Sequence, residues 1–187
     1  MSEEYVFIDR DGVINKDPGG WTEYGYVTRW EDFHFLPGTL EALKALKGAG
    51  YKAVIISNQQ GVGKGYFTEA ALKDITGKMV STIKGSGGEV AGVFYCIHAK
   101  EEDCDCRKPK AGLFLKAKEE LGIESFESNF YMGDTERDIQ AGRAAGLKTI
   151  LVLSGKSSRQ DAEGWSHKPD HICGSIAEAV NIVIGGE

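Results

Sequence analysis

The sequence predicts an α/β fold, a doubly wound (Rossmann-like), mostly parallel sheet, and two observations carry the prediction. Short runs rich in β-branched and aromatic residues alternate with stretches of helical periodicity, the β-α-β-α succession from which such sheets are wound. The runs are apolar at consecutive positions, as strands covered by helices on both faces require.

Each element follows in turn. YVFI (5–8) reads as the first strand, and TLEALKALKGAG, after Pro37, as a helix closed by glycine. YKAVIIS (51–57) is the second strand, followed by a helix from Thr68 to about Lys84. VAGVFY (90–95) precedes a cysteine-rich loop and the helix AGLFLKAKEELG after Pro109. NFYMG (129–133) leads into ERDIQAGRAAG, then KTILVL (148–153), and HIC (171–173) with SIAEAVNIVI adds an edge strand and a last helix. A chain of 187 residues without repeats suits one domain, 1–187.

Composition removes several function classes. The net charge of -6 leaves no broad basic face for nucleic acid or an anionic membrane, so an anionic ligand must be met by local cations. No run approaches the roughly 20 apolar residues of a membrane span, and Met1 to Glu4 open no signal peptide. A cytoplasmic monomer acting on a small molecule is expected.

In doubly wound sheets ligands bind beyond the carboxyl ends of the strands. Four of those ends are polar here: Asp9-Arg10-Asp11-Gly12, Ser57-Asn58-Gln59-Gln60-Gly61, Arg107-Lys108-Pro109, and Gly133-Asp134-Thr135-Glu136-Arg137-Asp138. Residues two apart on an extended strand share a face, so Asp9 and Asp11 aim into one crevice and Arg10 points the other way. Two carboxylates so close, joined by Asp134, call for a cation, and Mg²⁺ suits carboxylates that also receive a phosphate oxygen. Ser57 offers a hydroxyl, the loop through Asn58 and Gln59 offers backbone N–H groups, and Lys108 offers a point charge; together they cradle a phosphate. Asp9 is then the nucleophile that attacks phosphorus. Asp11 is the acid/base that protonates the leaving oxygen and later deprotonates water.

Cys96-x-His98 and Cys104-x-Cys106 supply three thiolates and one imidazole, the complement of a closed tetrahedral Zn²⁺ site, with a disulfide at Cys104 as the rival reading. Such a zinc loop, 96–108, orders the chain ahead of Arg107 and Lys108. Cys173, in an apolar run, reads as core. GVGKG (61–65) lacks the first glycine and the closing Ser or Thr of a nucleotide-binding loop, and DRDG lacks the spacing of a calcium loop. His34, His167 and His171 read as surface or packing residues.

DRDGVIN, SNQQG, a lysine before the next helix and GDTERD, in that order, resemble the four motifs of the haloacid dehalogenase superfamily of phosphatases. YCIHAKEEDCDCRKPKAG resembles the zinc loop of the subfamily containing heptose bisphosphate phosphatases and histidinol-phosphate phosphatases. The resemblance implies Asp9 as nucleophile, Asp11 as acid/base, Ser57 and Lys108 as phosphate ligands, and Arg107 as a substrate contact. It implies Mg²⁺ held by Asp9, Asp11 and Asp134, with Asp138 in support. Superfamily members usually carry a cap domain in one of two gaps, which here hold only residues 14–36 and the zinc loop, so a capless enzyme is expected. Its crevice is walled by Asn15 to Tyr26, Gln59 to Tyr66 and Cys96 to Lys108.

An open crevice suits a small sugar or amino-alcohol phosphate, and Arg107 can fork onto a second anionic group. A heptose 1,7-bisphosphate, hydrolysed to the 1-phosphate for lipopolysaccharide core or another heptose glycan, is the first expectation and histidinol phosphate the second. A zinc-stabilised module that binds phosphorylated ligands without turnover is the reading from another class. Two features depart from the heptose phosphatases: Thr135 stands on the phosphate side where they carry lysine, and PGGWTEY (18–24) lengthens the first loop. Asp17, Gly25 and Tyr26 are the substrate contacts expected from that loop, with Trp21 and Tyr24 able to reshape the pocket.

Overall fold

In the computed structural model, which describes residues 4–185, six strands form one sheet in which every pairing is parallel. Met1 to Glu3, where the signal-peptide reading begins, lie outside the described residues. The strands are β1 (Glu4–Ile8), β2 (Tyr51–Asn58), β3 (Val90–Cys96), β4 (Phe130–Gly133), β5 (Lys148–Val152) and β6 (His171–Cys173), in the order β3-β2-β1-β4-β5-β6. The helices are α1 (Thr39–Gly48), α2 (Glu69–Gly85), α3 (Gly112–Leu121), α4 (Glu136–Ala145), α5 (Arg159–Gly164) and α6 (Ile176–Gly185).

Strand periodicity sorts β1 between two apolar layers. Val6 and Ile8 join the layer of α1, α2 and α6, whereas Tyr5 and Phe7 join that of α3 and α4. Phe7 meets Phe114 and Phe126 edge-on at 5.6 and 5.4 Å between ring centres. A large apolar side chain buried in this way contributes about 1.5–3 kcal/mol. In α2, Leu72, Ile75, Met79 and Ile83 recur every three or four residues and form its buried face. Thr68 caps that helix, its hydroxyl accepting the Ala71 N–H at 3.1 Å.

Sequence periodicity missed α5, which is too short to show an apolar stripe. Its signal is the Ser158-x-x-Asp161 capping box: the Asp161 carboxylate accepts the Ser158 N–H at 2.8 Å, and the Ser158 hydroxyl accepts the Asp161 N–H at 3.2 Å.

The chain winds outward through β2 and β3, then returns to β4 on the other side of β1. Loops leaving β1 and β4 diverge at this switch point and open a crevice. The stretch between β1 and α1 holds a single 3-10 turn, Trp30–Asp32, and that between β3 and α3 another, Lys100–Glu102, so neither gap carries a cap domain. No helix among the described residues is long and apolar enough to cross a membrane.

Candidate active site

Lys108 organises the floor of the crevice. The buried ammonium stands 3.0 Å from Asp9 Oδ2 and 2.6 Å from Asp138 Oδ1, and it donates to the Tyr131 hydroxyl at 2.8 Å and the Ile56 carbonyl at 3.3 Å. Asp9 follows β1, its N–H donating to the Met132 carbonyl of β4 at 2.9 Å. Asp134 follows β4, and its carboxylate accepts the Lys156 N–H at 2.8 Å. Asp9, Asp134 and Asp138 each offer an oxygen within 4.8 Å of the others.

Three carboxylates around one ammonium leave negative charge unmet. Burial, reinforced by Asp138 and Asp11 and opposed by Lys108, pushes Asp9 up to about 7. Burial, Asp138 and Asp9 push Asp134 up to about 8. Asp138 goes the other way: burial would raise it, but Lys108, Thr135 and Tyr131 together hold it below the usual carboxylate range. It is therefore the standing counter-ion of Lys108, whereas the charge of Asp9 and Asp134 is not offset by it. Their chemistry fits a hard dication bound by oxygen.

Asp11 does not join that group. The strand ends at Ile8, so the two-residue alternation that would align Asp11 with Asp9 lapses, and the chain turns at Gly12 with φ +87°. Arg10, fully buried, forks onto Asp11 at 3.0 Å through Nη2 and 3.2 Å through Nε, and also donates to Gln59 Oε1 at 3.0 Å. Asn15 and Gln59 donate to the same carboxylate at 2.9 and 2.8 Å. Burial would raise Asp11, but Arg10, Asn15 and Gln59 outweigh it and lower it. Arg10 does not point away from Asp11, as strand alternation implied, but holds it. Asp11 still faces the same cavity as Asp9.

That cavity is lined by Ser57, Asn58, Arg107, Lys108 and Thr135, and by Asp17, Gly25 and Tyr26 from the first loop. Gln59 lies behind the wall, its amide bridging Asp11 and the Ser57 hydroxyl at 2.8 and 3.1 Å. Asn58 braces the lysine loop, accepting the Lys108 N–H at 3.1 Å and donating to its carbonyl at 3.2 Å. Thr135 donates both its N–H and its hydroxyl to Asp138, capping α4. Among the described residues Arg107 Nη1 is buried without a hydrogen-bond partner, on the wall of the same cavity.

Three further residues line the cavity: Gln60 and Arg137 lie in the polar strand ends already named but were given no role, and Lys156 was missed altogether. Gln60 sits beside the expected SNQ run and donates to the Tyr26 hydroxyl at 2.7 Å. The lengthened first loop leans on the loop after β2, with Tyr24 and Tyr66 stacked at 4.7 Å.

A second cluster brings ligand atoms of Cys96, His98, Cys104 and Cys106 together within 4.8 Å. Cys96 Sγ lies 3.5 Å from Cys104 Sγ and 3.8 Å from His98 Nδ1, which lies 3.2 Å from Cys106 Sγ. All four cysteines are free thiols, so no disulfide competes at Cys104. Burial raises Cys96, whereas Cys104, despite burial, is brought down to about 7 by its sulfur neighbours. Three sulfurs and one nitrogen converging without a further protein ligand suit a closed tetrahedral ion such as Zn²⁺. Gly63 of GVGKG packs against this loop, where a Cβ would fall 2.6 Å from the Ile97 carbonyl. Close approach, not nucleotide binding, accounts for that glycine. Cys173 is buried in the core layer of α6.

Comparison with known proteins follows the same lines. The HAD-hydrolase-like family model matches residues 105–179. The chain is 36% identical to the D-glycero-beta-D-manno-heptose-1,7-bisphosphate 7-phosphatase of Pasteurella multocida, over 96% of both chains. It is 42% identical to the protein of that name from Helicobacter pylori, over 79% of this chain and 82% of that one. Among solved structures, D,D-heptose 1,7-bisphosphate phosphatase from B. bronchiseptica, complexed with magnesium and phosphate, superposes with a TM-score of 0.87. It shares 29% identity over 97% of this chain and 98% of that one.

Proposed function

The chain belongs to the haloacid dehalogenase-like hydrolases, in the family of the D-glycero-β-D-manno-heptose-1,7-bisphosphate 7-phosphatases, and from that membership we propose how its residues hydrolyse the 7-phosphate of the bisphosphate. The chain is a phosphatase, which sets aside the non-catalytic binding module. The observation that carries the reading is the Asp9–Lys108–Asp138 cluster beside Asp134, on the floor of a cavity that Arg107 also lines.

Asp9 attacks the phosphorus with a carboxylate oxygen, the bond from phosphorus to the sugar oxygen breaks, and an aspartyl-phosphate forms. For the first half Asp11 must take up a proton against the pull of Arg10, Asn15 and Gln59, and it then passes that proton to the departing oxygen. It then takes a proton from water, whose oxygen attacks the same phosphorus, and the bond to Asp9 breaks to release inorganic phosphate. The pairing of Asp11 with Arg10 favours the ionised form needed for the second half. Lys108, held by Asp138, keeps a positive charge against the transferring group throughout. Ser57, Asn58, Thr135 and the backbone of the 57–59 loop shape the phosphate cradle, with Gln59 tying Ser57 to Asp11. Arg107 receives the second phosphate, and Gly25 and Tyr26 wall the sugar.

Asp9 and Asp134 would hold Mg²⁺, with Asp138 supporting and Asp11 nearby. The ion supplies charge neutralisation between nucleophile and phosphate. Zn²⁺ at Cys96, His98, Cys104 and Cys106 would have an architectural role, fixing residues 96–108 and therefore Arg107 and Lys108. The sheet serves as one catalytic domain.

The test is a comparison of kcat/KM for heptose 1,7-bisphosphate and histidinol phosphate with Mg²⁺ present. The bisphosphate is expected to win by a wide margin, with the 1-phosphate as product. Preference for histidinol phosphate would overturn the substrate assignment.

A further inference from the structure

The turn after β5 is built into the catalytic floor although no motif marks it. Ser154 Oγ donates to the Gly12 carbonyl at 2.8 Å, and the Lys156 N–H donates to Asp134 Oδ2 at 2.8 Å. Between them Gly155 lies so close to Asp134 that a Cβ would fall 2.0 Å from Oδ2. These contacts fix the turn relative to Asp134 and lay the Lys156 side chain along the cavity wall. That side chain is 54% exposed, and its ammonium stands 3.2 Å from Asp17 Oδ2 on the loop between β1 and α1.

Charge within the cavity gives that lysine a task. Lys108 is shared between Asp9 and Asp138 on the cavity floor. Among the described residues, Lys156 has only Asp17 as an ion-pair partner. With the lysine half exposed and only its carboxylate partner largely covered, the ammonium is open to exchange, and a phosphate, with more charge and more acceptor oxygens than a carboxylate, is the stronger competitor.

We propose that Lys156 binds a phosphate of the substrate, and that Asp17 holds the ammonium in place until that phosphate replaces it. The inference rests on the phosphatase reading and adds a residue that meets the anion from the β5 side. No bond is made or broken in the exchange.

The experiment measures KM and kcat for heptose 1,7-bisphosphate and heptose 7-phosphate, and Ki for inorganic phosphate, in Lys156→Met, Lys156→Arg and Asp17→Asn. Loss of a charge-assisted contact is expected to raise KM for the bisphosphate roughly 10- to 100-fold in Lys156→Met, with a smaller change in kcat. Arginine restores most of the affinity, and Asp17→Asn, which frees the ammonium, moves KM the opposite way. A parallel rise in the phosphate Ki assigns Lys156 to the transferred phosphate; a loss confined to the bisphosphate assigns it to the second one. Unchanged KM and Ki in Lys156→Met would overturn the proposal. So would equal losses in Lys156→Met and Asp17→Asn, the mark of a mere strap between loops. A wild-type protein that releases no phosphate from either ester removes the phosphatase reading itself, whereas an active enzyme indifferent to Lys156→Met removes this inference alone.

Discussion

The Lys108 ammonium lies closer to Asp138, at 2.6 Å, than to the nucleophile candidate Asp9, at 3.0 Å. Asp138 thus anchors the cation, and Asp9 shares it without being neutralised by it. Asp138→Asn, which removes the charged acceptor of Lys108 and Thr135 but leaves Asp9 beside the ammonium, is expected to destabilise the fold by about 2 kcal/mol. Tyr131→Phe, which removes the hydroxyl that donates to Asp138 and accepts from Lys108, should cost about 2 kcal/mol. Urea unfolding reads both, and an Asp138→Asn variant as stable as the wild type would refute the anchoring role.

Protons and metal compete at the acidic cluster. Asp9 and Asp134 rise from 3.8 to about 7 and about 8 on folding, so between these values the folded chain binds more protons than the unfolded one. Their contribution to stability is present at low pH and is lost as pH climbs through that window. Mg²⁺ binds the ionised cluster and should restore the loss: melting temperature is expected to rise with Mg²⁺ at about pH 8.5 and hardly at all at about pH 5. Equal shifts at the two pH values would contradict the placement of the ion between Asp9 and Asp134.

Zinc should be tied to activity through position. Purified protein is expected to contain zinc equimolar with the chain, and Cys106→Ser to lower both the melting temperature and kcat, because Arg107 and Lys108 follow at once. Metal analysis and steady-state kinetics on the same preparation check this. A zinc-free variant with full activity would remove the ordering role.

Gly155 has no room for a side chain. An alanine there would drive its Cβ into Asp134 Oδ2, so Gly155→Ala should weaken Mg²⁺ binding by about 10-fold or more, the scale of a disturbed supporting contact. Gly164→Ala, with nothing within 4 Å of the added methyl, serves as the control. Titration calorimetry with Mg²⁺ distinguishes the two.

Much of this site was legible in the sequence because its parts are local. Asp9, Ser57 and Asp134 end apolar strands, and a doubly wound sheet gathers strand ends whatever else the chain does. The zinc ligands lie within eleven residues and needed no fold to be paired. Arg10 was misread because alternation was carried past Ile8, where the strand stops and a buried guanidinium found three acceptor atoms instead. Lys156 was invisible for a different reason: its partners Asp17 and Asp134 belong to other loops, and only the β1-β4-β5 adjacency brings them together. The short helix α5 escaped because three turns or more are needed before a stripe emerges, although its capping box was there to read.

The central claim is that Asp9 takes the phosphoryl group, and phosphate release from heptose 1,7-bisphosphate by Asp9→Asn tests it most directly. With Mg²⁺ present and the fold verified by its melting curve, the amide cannot attack, and kcat is expected to fall by roughly 10⁴-fold or more. Turnover within a few-fold of the wild type would contradict the assignment and move the nucleophile elsewhere in the cavity.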